Sequence, residues 1–375
     1  MHEVTWKVRW LRRIFLGGVE MNSNDANQDS NISRSAQFGA ARRKKKRVRT
    51  IVLSTLSVLL VAVLGAGYYL FNLQHAFNSK TNTVSLNFTQ EQEDARPVKD
   101  PDDGSMNILL VGVDHADDDS DQSAALDGAV SQRSDSMMLV HIPEDRSQVY
   151  IMSTVRDMYV DIPGYGKNKL NAAVSLGGIP LLVQTLEGLF DTKVDHVAMI
   201  DFDGFKELST ALGGVTVQND IPFTAHDTDY FYPKGEINLE GDRALRFVRE
   251  RKSFTNGDYQ RVANQRKFIA AAANQMLSAD TLANPVKLYD IVDKVSPYLT
   301  FDSSFDAATL VGLGMQLKNV DTNNLAMFTM PTAGSSTSAD GQSIELASEQ
   351  AIKQIREALK TDTMDEYLKE NPPEE

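Results

Sequence analysis

The sequence predicts an α/β sandwich outside a membrane, preceded by one transmembrane helix. Three observations support this prediction: an uncharged apolar segment near the amino terminus, a change of net charge across that segment, and an alternation of strand and helix patterns beyond it. The chain has 375 residues, of which 42% are hydrophobic and 24% charged. It is therefore long enough to bury a sizeable core in one or two domains.

Residues 50–72 form the predicted transmembrane helix. No Asp, Glu, Lys or Arg occurs from Thr50 to Ser79, and residues 51–71 are almost wholly apolar. At about 1.5 Å per residue, this stretch spans the roughly 30 Å hydrocarbon core of a bilayer. It is too long for the apolar region of a signal peptide, and no clear cleavage site follows. We therefore expect it to remain as a membrane anchor.

The charges around the span predict its orientation. Residues 42–49 read RRKKKRVR, and positive charge that flanks a first span stays in the cytoplasm. Residues 1–49 hold 12 Lys and Arg against 4 Asp and Glu, whereas the rest of the chain holds 26 against 47. We expect a single-pass protein of the cell membrane, in contact with the lipid bilayer, with a cytoplasmic amino terminus and an extracellular domain. The alternative, a nuclear-localisation or DNA-binding patch, is disfavoured because the basic run abuts the span.

The composition excludes several functions. Cysteine is absent, which excludes disulfides, a thiolate nucleophile and cysteine metal sites, and is compatible with a Gram-positive type of envelope. The acidic outer part makes nucleic acid an unsuitable partner, because phosphate backbones bind to positive surfaces. Neither a GxSxG nor a Walker sequence occurs, and the histidines lack zinc-ligand spacing.

The predicted organisation has five parts. Residues 1–49 are a basic, disordered cytoplasmic tail, in which we hypothesise that Met21 is the true start because the first twenty residues resemble nothing that follows. The other parts are the transmembrane helix at 50–72, a polar stalk at 73–105, a folded domain at 106–360, and an acidic, frayed tail at 361–375.

Short apolar runs within the folded domain predict strands, and a 3.6-residue periodicity predicts helices. The predicted strands are 106–113, 137–142, 149–153, 196–200 and 325–329. The predicted helices are 180–190, 202–212, 258–277, 285–295, 305–317 and 348–359.

A dense group of basic residues lies between 243 and 267 in an otherwise acidic domain. Arg249 and Arg251 are two apart, so in an extended segment both side chains project to one side. The alternative is a solvated helix face whose charge Glu250 and Asp258 balance.

The helix that follows carries a second pair of polar residues. Arg261 and Gln265 are four apart, so they share one helix face. Together with the first pair they would form a pocket for an oxyanion, because the planar fork of arginine binds phosphate bidentately.

Two carboxylates lie at predicted strand ends, where α/β folds place ligands. Asp114 ends the first strand, and Asp135 leads into the second. One or two carboxylates, with water and phosphate oxygens, suit Mg²⁺. The alternative is that both residues only cap their strands, and we expect the acidic loop between them to be a solvated charge run.

A third candidate site follows the strand at 149–153. Arg156 and Asp157 come shortly after it, and Lys169 follows further along the chain. An adjacent Arg and Asp also form ordinary structural ion pairs, so both interpretations stay open.

Together these segments resemble the LytR-CpsA-Psr family. The matching strings, in family order, are ILLVGVD at 108–114, RSDSMMLV at 133–140, STVRDMYVDIPGYG at 153–166, KLNAA at 169–173, GGV at 213–215, Gly241, ALRFVRER at 244–251 and DYQRVANQ at 258–265. Three positions depart from the usual family pattern: Phe247 and Val197, where Tyr is common, and Asn264, where Arg is common. These changes affect fine substrate contacts and leave the charge arrangement intact.

The resemblance implies an α/β/α sandwich and a Mg²⁺-dependent phosphotransferase. Its substrates would be a glycopolymer linked to undecaprenyl pyrophosphate and peptidoglycan, joined by a phosphodiester. Wall teichoic acid and capsular polysaccharide both stay open as the glycopolymer. The implied site residues are Asp114 and Asp135 for Mg²⁺, Arg156, Arg249, Arg251, Arg261 and Gln265 for the pyrophosphate, and Arg133 and Lys169 for the pocket lining.

Three questions stay open at this point. Asp157 and Asp258 are the two candidates for the general base. A hydrolase that cleaves the lipid pyrophosphate with water would use the same site. A non-catalytic regulator of the cell envelope is a further alternative. A regulator that binds DNA is disfavoured, because the folded domain is predicted to lie outside the cell.

Overall fold

The computed structural model describes residues 60–61, 64–65, 67–114, 133–226, 228–255, 257–317 and 325–373. Within these ranges, eight side chains lie outside the described part: Asp114, Arg133, Ser134, Asp135, Asp258, Ala279, Leu282 and Met315. The chain divides into two units, Met1–Leu70 and Phe71–Glu375.

The predicted basic tail and most of the predicted span at 50–72 lie outside the described residues. The described positions of the first unit, at 60–61, 64–65 and 67–70, are helical. Large apolar side chains at these positions are exposed, with Leu60 at 60% and Val61 at 68%. A helical conformation is what a transmembrane segment requires, and the membrane span itself stays a prediction.

Alternating strands and helices build the second unit. Its strands are β1 (Asn82–Val84), β2 (Met106–Asp114), β3 (Arg133–Ile142), β4 (Tyr150–Thr154), β5 (Met158–Ile162), β6 (Gly166–Lys169), β7 (His196–Asp201), β8 (Val215–Asn219), β9 (Phe223–Thr224), β10 (Phe231–Tyr232), β11 (Gly235–Leu239), β12 (Leu299–Asp302), β13 (Ala326–Thr329), β14 (Thr332–Thr337) and β15 (Ser343–Ala347).

The helices of this unit cover the sheet or connect its strands. They are α1 (71–80), α2 (Gln90–Asp94), α3 (Ala172–Phe190), α4 (Phe202–Ala211), α5 (Gly241–Arg249), α6 (Gly257–Met276), α7 (Ala279–Leu282), α8 (Pro285–Val295), α9 (Ala307–Gln316), α10 (Glu349–Lys360) and α11 (Met364–Glu370). Every strand and helix predicted from the apolar patterns is present, with most bounds moved by one to four residues; the helix predicted at 180–190 begins eight residues earlier, at Ala172.

The main sheet contains seven strands of the described chain in the order β1-β12-β7-β2-β3-β4-β13. Strand β2 lies at its centre, parallel to β7 and antiparallel to β3. Side chains alternate between the two faces of a strand. Leu109 and Val111 accordingly belong to one core cluster, whereas Ile108 belongs to another on the opposite face.

Helices cover both faces of the main sheet. The first core cluster includes side chains of α3, α10 and α11, such as Leu182, Ile355 and Tyr367. The second includes Phe301 of β12 and Leu313 of α9. The predicted mixed α/β fold, with helices on either side of a sheet, is confirmed.

Among the described residues, α3 is the one helix that is long and apolar enough to cross a membrane. It is a core helix, because 61% of its apolar window is buried and Leu182, Val183 and Phe190 are inaccessible to solvent. Gly177 and Gly178 have non-helical backbone angles, so the helix is kinked just before Pro180.

A second, four-stranded sheet has the order β14-β15-β5-β6 and was not predicted. Met158, Val160 and Ile162 on β5 face the first core cluster. The residues between them alternate outward, so this sheet has a buried face and a face open to solvent.

The predicted polar stalk at 73–105 is wrong, because the segment already packs on the domain within helix α1: Ala76 is 6% exposed, and the ring of Phe77 lies 5.3 Å from that of Phe301. Strand β1 pairs with β12, and Val84 is only 1% exposed. The Arg96 guanidinium donates to the buried Glu187 carboxylate of α3 at 2.8 Å. The segment is therefore attached to the folded domain by apolar side chains of α1 and of the stretch around β1, such as Phe77, Val84 and Leu86.

The predicted frayed tail at 361–375 is also wrong. Residues 364–370 form helix α11, and Met364 and Tyr367 are 2% and 6% exposed in the first core cluster. Their spacing of three residues places both on one helix face. The acidic residues of this segment occupy the outer face, so its composition concealed an amphipathic helix.

Candidate functional site

Strands of the main sheet bring several predicted site residues to one edge. Strands β2 and β7 are parallel, and Val113 near the end of β2 pairs with Asp201 at the end of β7. Strands β3 and β4 are antiparallel, so the first half of β3 leads to the end of β4, where Met137 pairs with Thr154. The Thr154 hydroxyl also donates to the Met137 carbonyl at 3.0 Å. The ends of β2, β4 and β7 and the start of β3 therefore meet at this edge.

Asp135 lies in a β-bulge at the same edge. Gly112 pairs with Ser136, but the next pair is Val113 with Ser134, so Asp135 is the extra residue. A bulge redirects the local backbone and is common beside functional sites.

The three predicted residues Asp114, Arg133 and Asp135 share this position in the backbone. Asp114 pairs directly with Arg133, two residues from Asp135, so the expected proximity of the two strand ends is found. Two carboxylate-bearing residues on neighbouring strands fit the oxygen ligands that Mg²⁺ prefers. Their side chains lie outside the described part, so the metal site stays a prediction. The described side chains themselves contain no group of three potential metal ligands.

Helix α6 contacts this edge through Gln265. The Ser136 hydroxyl lies 3.5 Å from Gln265 Oε1, and Gln265 Nε2 donates to the Val248 carbonyl of α5 at 3.3 Å. Arg261, one turn earlier on α6, is only 4% exposed. A solvated helix face is therefore excluded for Arg261, and both predicted residues lie on the helix that contacts β3.

Arg249 reaches the same region from α5. Its guanidinium lies over the ring of Phe202 at 4.1 Å. Phe202 follows Asp201, the last residue of β7, whose carboxylate accepts the backbone N–H of Gly204 and caps α4. The positive charge of Arg249 is thus held beside the end of β7, the strand that neighbours β2.

The predicted extended segment carrying Arg249 and Arg251 is wrong in part. Arg249 is the last residue of α5, because Ala244, Phe247 and Val248 are buried on one helix face. Only after this helix does the chain become extended, at Glu250, and Arg251 lies exposed in the following loop. The two arginines follow each other around a helix end and do not share one side of a strand.

Glu250 orders this loop through its carboxylate. It accepts backbone N–H groups from His226, Arg251 and Ser253 at 2.8 to 3.0 Å. Burial opposes its charged form, but these donors outweigh burial and lower the pKa of Glu250. Glu250 is 8% exposed, so it is a structural anchor of the loop and does not balance a solvated face.

Gly257, the first residue of α6, allows the backbone of Arg251 in the preceding loop to pass close to the start of this helix. A Cβ atom at Gly257 would lie 2.5 Å from the Arg251 carbonyl oxygen, which is closer than such atoms approach. The glycine is required by this close approach of two backbone segments.

Arg156, Asp157 and Lys169 form one connected group. Asp157 lies between β4 and β5, and its carboxylate is 3.1 Å from Lys169 Nζ and 3.6 Å from Arg156 Nε. All three side chains are partly buried, at 20 to 28% exposed. An ion pair between Arg156 and Asp157 is present, Asp157 also joins the strand edge to β6, and a role of this group in the reaction stays a prediction.

Asp258, the other candidate base, lies at the second position of α6, and its side chain is outside the described part. Sequence reasoning missed Ser136 and Phe202 as contacts of Gln265 and Arg249. Ser136 could have been identified from its place within the matching string RSDSMMLV. Phe202 could have been identified as an aromatic residue directly after the end of a predicted strand.

Comparison with known proteins gives the family. The profile of the LytR_cpsA_psr family matches residues 69–361. The polyisoprenyl-teichoic acid–peptidoglycan teichoic acid transferase TagU of Enterococcus faecalis is 31% identical over 330 residues, which cover 84% of this chain and 97% of the relative. TagU of Bacillus cereus is 31% identical over 265 residues, covering 70% of this chain and 82% of that protein.

Solved structures share the fold. The crystal structure of B. subtilis TagV superposes with a TM-score of 0.59 at 24% identity, covering 70% of this chain and 98% of that one. The structure of TagT bound to LI-WTA superposes with a TM-score of 0.55 at 24% identity, covering 71% and 94%. With its family profile matched over most of the folded unit, the chain belongs to the LytR_cpsA_psr family.

Proposed function

We propose that this protein transfers a glycopolymer from an undecaprenyl-pyrophosphate carrier to peptidoglycan, with a phosphodiester as the new linkage. The observation that carries the proposal is the convergence of arginine-bearing helices α5 and α6 on the sheet edge where Asp114 and Asp135 lie. The names of the TagU relatives, which state a teichoic acid transfer to peptidoglycan, support it.

The reaction balances without a further reactant. A hydroxyl oxygen of peptidoglycan attacks the phosphorus that carries the glycopolymer. The bond from this phosphorus to the bridging oxygen breaks, and the prenyl monophosphate leaves. The hydroxyl proton passes to a base, so the products are the phosphodiester, prenyl phosphate and one proton.

Positive charge is what this reaction needs from the protein. A pyrophosphate repels an incoming oxygen until its charge is neutralised, and the leaving phosphate gains charge in the transition state. Guanidinium groups bind both phosphates and remain charged at any working pH. The residues proposed to bind the donor are Arg156, Arg249, Arg251, Arg261 and Gln265, with Arg133 and Lys169 lining the pocket.

Asp114 and Asp135 are proposed to hold Mg²⁺. When bound, the ion supplies further neutralisation of the phosphate oxygens. Their placement on paired strands, one of them in a bulge, supports this assignment.

Asp157 is the better supported of the two candidate bases. Its carboxylate is fixed between Lys169 and Arg156, so it is oriented beside a residue proposed to bind phosphate. Asp258, in the first turn of α6, stays the second candidate.

The site is proposed to act outside the cell. Residues 50–72 would anchor the chain in the membrane, with residues 1–49 in the cytoplasm. This arrangement would hold the domain where lipid-linked polymers and peptidoglycan meet. Protease added to intact cells should digest the domain and spare the basic tail.

The arginine assignment can be tested with two matched variants of α5. Arg249→Ala should lower transfer about 100-fold or more, because one group that stabilises developing charge is worth that much in kcat. Arg246→Ala is the control, since Arg246 is half-exposed and pairs with Asp242 on the same helix at 2.7 Å. Purified full chain, Mg²⁺, a lipid-linked polymer and peptidoglycan would be used, with thermal unfolding as a check of folding.

Product analysis identifies the reaction. Transfer yields polymer linked to peptidoglycan, whereas hydrolysis yields free phosphorylated polymer. Turnover of Arg249→Ala close to that of Arg246→Ala would contradict the proposed role of Arg249.

A further inference from the structure

A polar cleft lies on the outer face of the second sheet. It has a volume of about 160 Å³ and opens between the β5–β6 hairpin and the loop that joins β14 to β15. The opposite face of β5 packs into the core through Met158 and Val160. The cleft is therefore built on a rigid base.

Lysines, an aspartate and neutral polar groups line the cleft. Lys167 and Lys169 are two apart on β6, so they share the outer face of the sheet. Tyr159 pairs directly with Lys169 across the hairpin and lies on the same face. Ser338 and Gln342 contribute a hydroxyl and an amide from the other wall.

The loop that forms this other wall is held by its own hydrogen bonds. The backbone of Ser338 donates to the Gln342 carbonyl at 2.9 Å, and the backbone of Gln342 donates to the Ser338 hydroxyl at 3.0 Å. Gln342 Nε2 also donates to the Asp340 carboxylate at 2.5 Å. Gly341, with a φ of 85°, supplies the left-handed turn.

Lys169 joins the cleft to the proposed reaction site. It lines the cleft, and its ammonium group is 3.1 Å from the Asp157 carboxylate, which in turn contacts Arg156. A molecule in the cleft would therefore end beside the candidate base and the first proposed phosphate-binding arginine.

We propose that this cleft binds the acceptor of the reaction, a peptidoglycan glycan strand. The proposal rests on the function proposed above. The ammonium, hydroxyl, amide and Asp340 groups offer the mixed donors and acceptors that suit sugar hydroxyl and acetamido groups. The two lysines are balanced by Asp340, by Asp157 beside Lys169 and by Asp161 across from Lys167, so the cleft has no excess positive charge for a polyphosphate chain, which disfavours the donor polymer as occupant.

The test is a comparison of Michaelis constants for the two substrates. Lys167→Glu in the full chain should raise the KM for soluble glycan strands released from peptidoglycan about tenfold, as expected for the loss of one charge-assisted hydrogen bond. The kcat and the KM for the lipid-linked donor should stay unchanged. Gln342→Ala, a smaller change on the other wall, should raise the same KM.

Lys353→Glu is the matched control. Lys353 is exposed on α10, does not line the cleft, and undergoes the same change of charge. An unchanged acceptor KM in both cleft variants, or a rise in the donor KM instead, would overturn the proposal.

Direct binding separates this proposal from the proposed function. Glycan strands are titrated into the full chain without donor. Binding that Lys167→Glu weakens and Lys353→Glu does not would support the cleft even if the wild type transferred no polymer. Failure of the wild type to bind the strands, or equal binding by both variants, would refute the cleft even with transfer intact.

Discussion

The guanidinium of Arg249 lies 4.1 Å from the ring centre of Phe202, so the last residue of α5 rests on the first residue of α4. A cation at the carboxyl end of a helix is usually stabilised there by the helix dipole. Here the ring face adds a second attraction and fixes the direction of the side chain. Since Phe202 directly follows β7, the sheet edge determines where this positive charge lies.

Phe202→Leu should misplace Arg249 while keeping an apolar side chain. We expect the KM for the donor to rise about two- to fivefold, because Arg249 is exposed and a cation–π contact at an exposed site is worth about 0.5–1 kcal/mol. Phe205→Leu on the same helix is the control, since its ring packs on Phe268 at 4.6 Å in the core. That variant should lose stability and keep its donor KM. Equal donor KM values in both variants would disprove the positioning role of Phe202.

Asp157→Asn should abolish most transfer with little change in fold. The amide retains the shape of the carboxylate but cannot accept the hydroxyl proton, and general-base groups typically contribute about 100- to 10,000-fold. The measurement is kcat at saturating donor and acceptor. Loss of less than tenfold would assign the base to Asp258, which Asp258→Asn would then check.

Stability at low pH should depend on Asp302. Burial opposes its charge, but His196, Ser304 and the Val197 N–H donate to the carboxylate and lower the pKa of Asp302 to about 2. Because this pKa is depressed, the stabilisation is present above the unfolded value of 3.8 and is lost as the pH falls through about 2. The contribution is about 2 kcal/mol.

The measurement for Asp302 is urea unfolding of the full chain in detergent at pH 6 and near pH 2. The free energy of unfolding of the wild type should fall by about 2 kcal/mol more than that of Asp302→Asn between these pH values. Parallel pH curves for the two proteins would rule out this role of the carboxylate.

Gly257→Ala should impair both stability and transfer. The new methyl group would meet the Arg251 carbonyl oxygen, so the loop must move and carry Arg251 with it. Gly312→Ala in α9 is the control, because nothing lies within 4 Å of its Cβ position. In a helix interior that change should stabilise by about 0.5–1 kcal/mol. A Gly257→Ala protein as active as Gly312→Ala would show that the loop position is unimportant.

Five strands of the main sheet, β2, β3, β4, β7 and β13, were predictable because they are short apolar runs between turn residues, whereas β1 and β12 were missed. Strand β2, at residues 106–113, and strand β4, Tyr150–Thr154, carry buried side chains on both faces, which is typical of strands that lie inside a covered sheet. The small second sheet was missed since its strands are short and half exposed, as in Gly166–Lys169. Such segments carry little hydrophobic signal, and tertiary contacts decide their conformation.

The candidate site was predictable in its residue types and less so in its local geometry. A spacing of two residues suggested that Arg249 and Arg251 share a strand face, but burial of Phe247 and Val248 forces the segment into a helix. Burial of Glu250 was likewise invisible in the sequence. It depends on N–H donors from a distant segment that includes His226.

Leu109 of the central strand and Tyr367 of the last helix belong to the same core cluster. A nascent chain therefore cannot complete this cluster until nearly all of the domain has been synthesised. Contacts between residues so far apart in the chain close slowly, and apolar surface stays exposed meanwhile. We infer that the newly made domain depends on protection from aggregation until Tyr367 is in place.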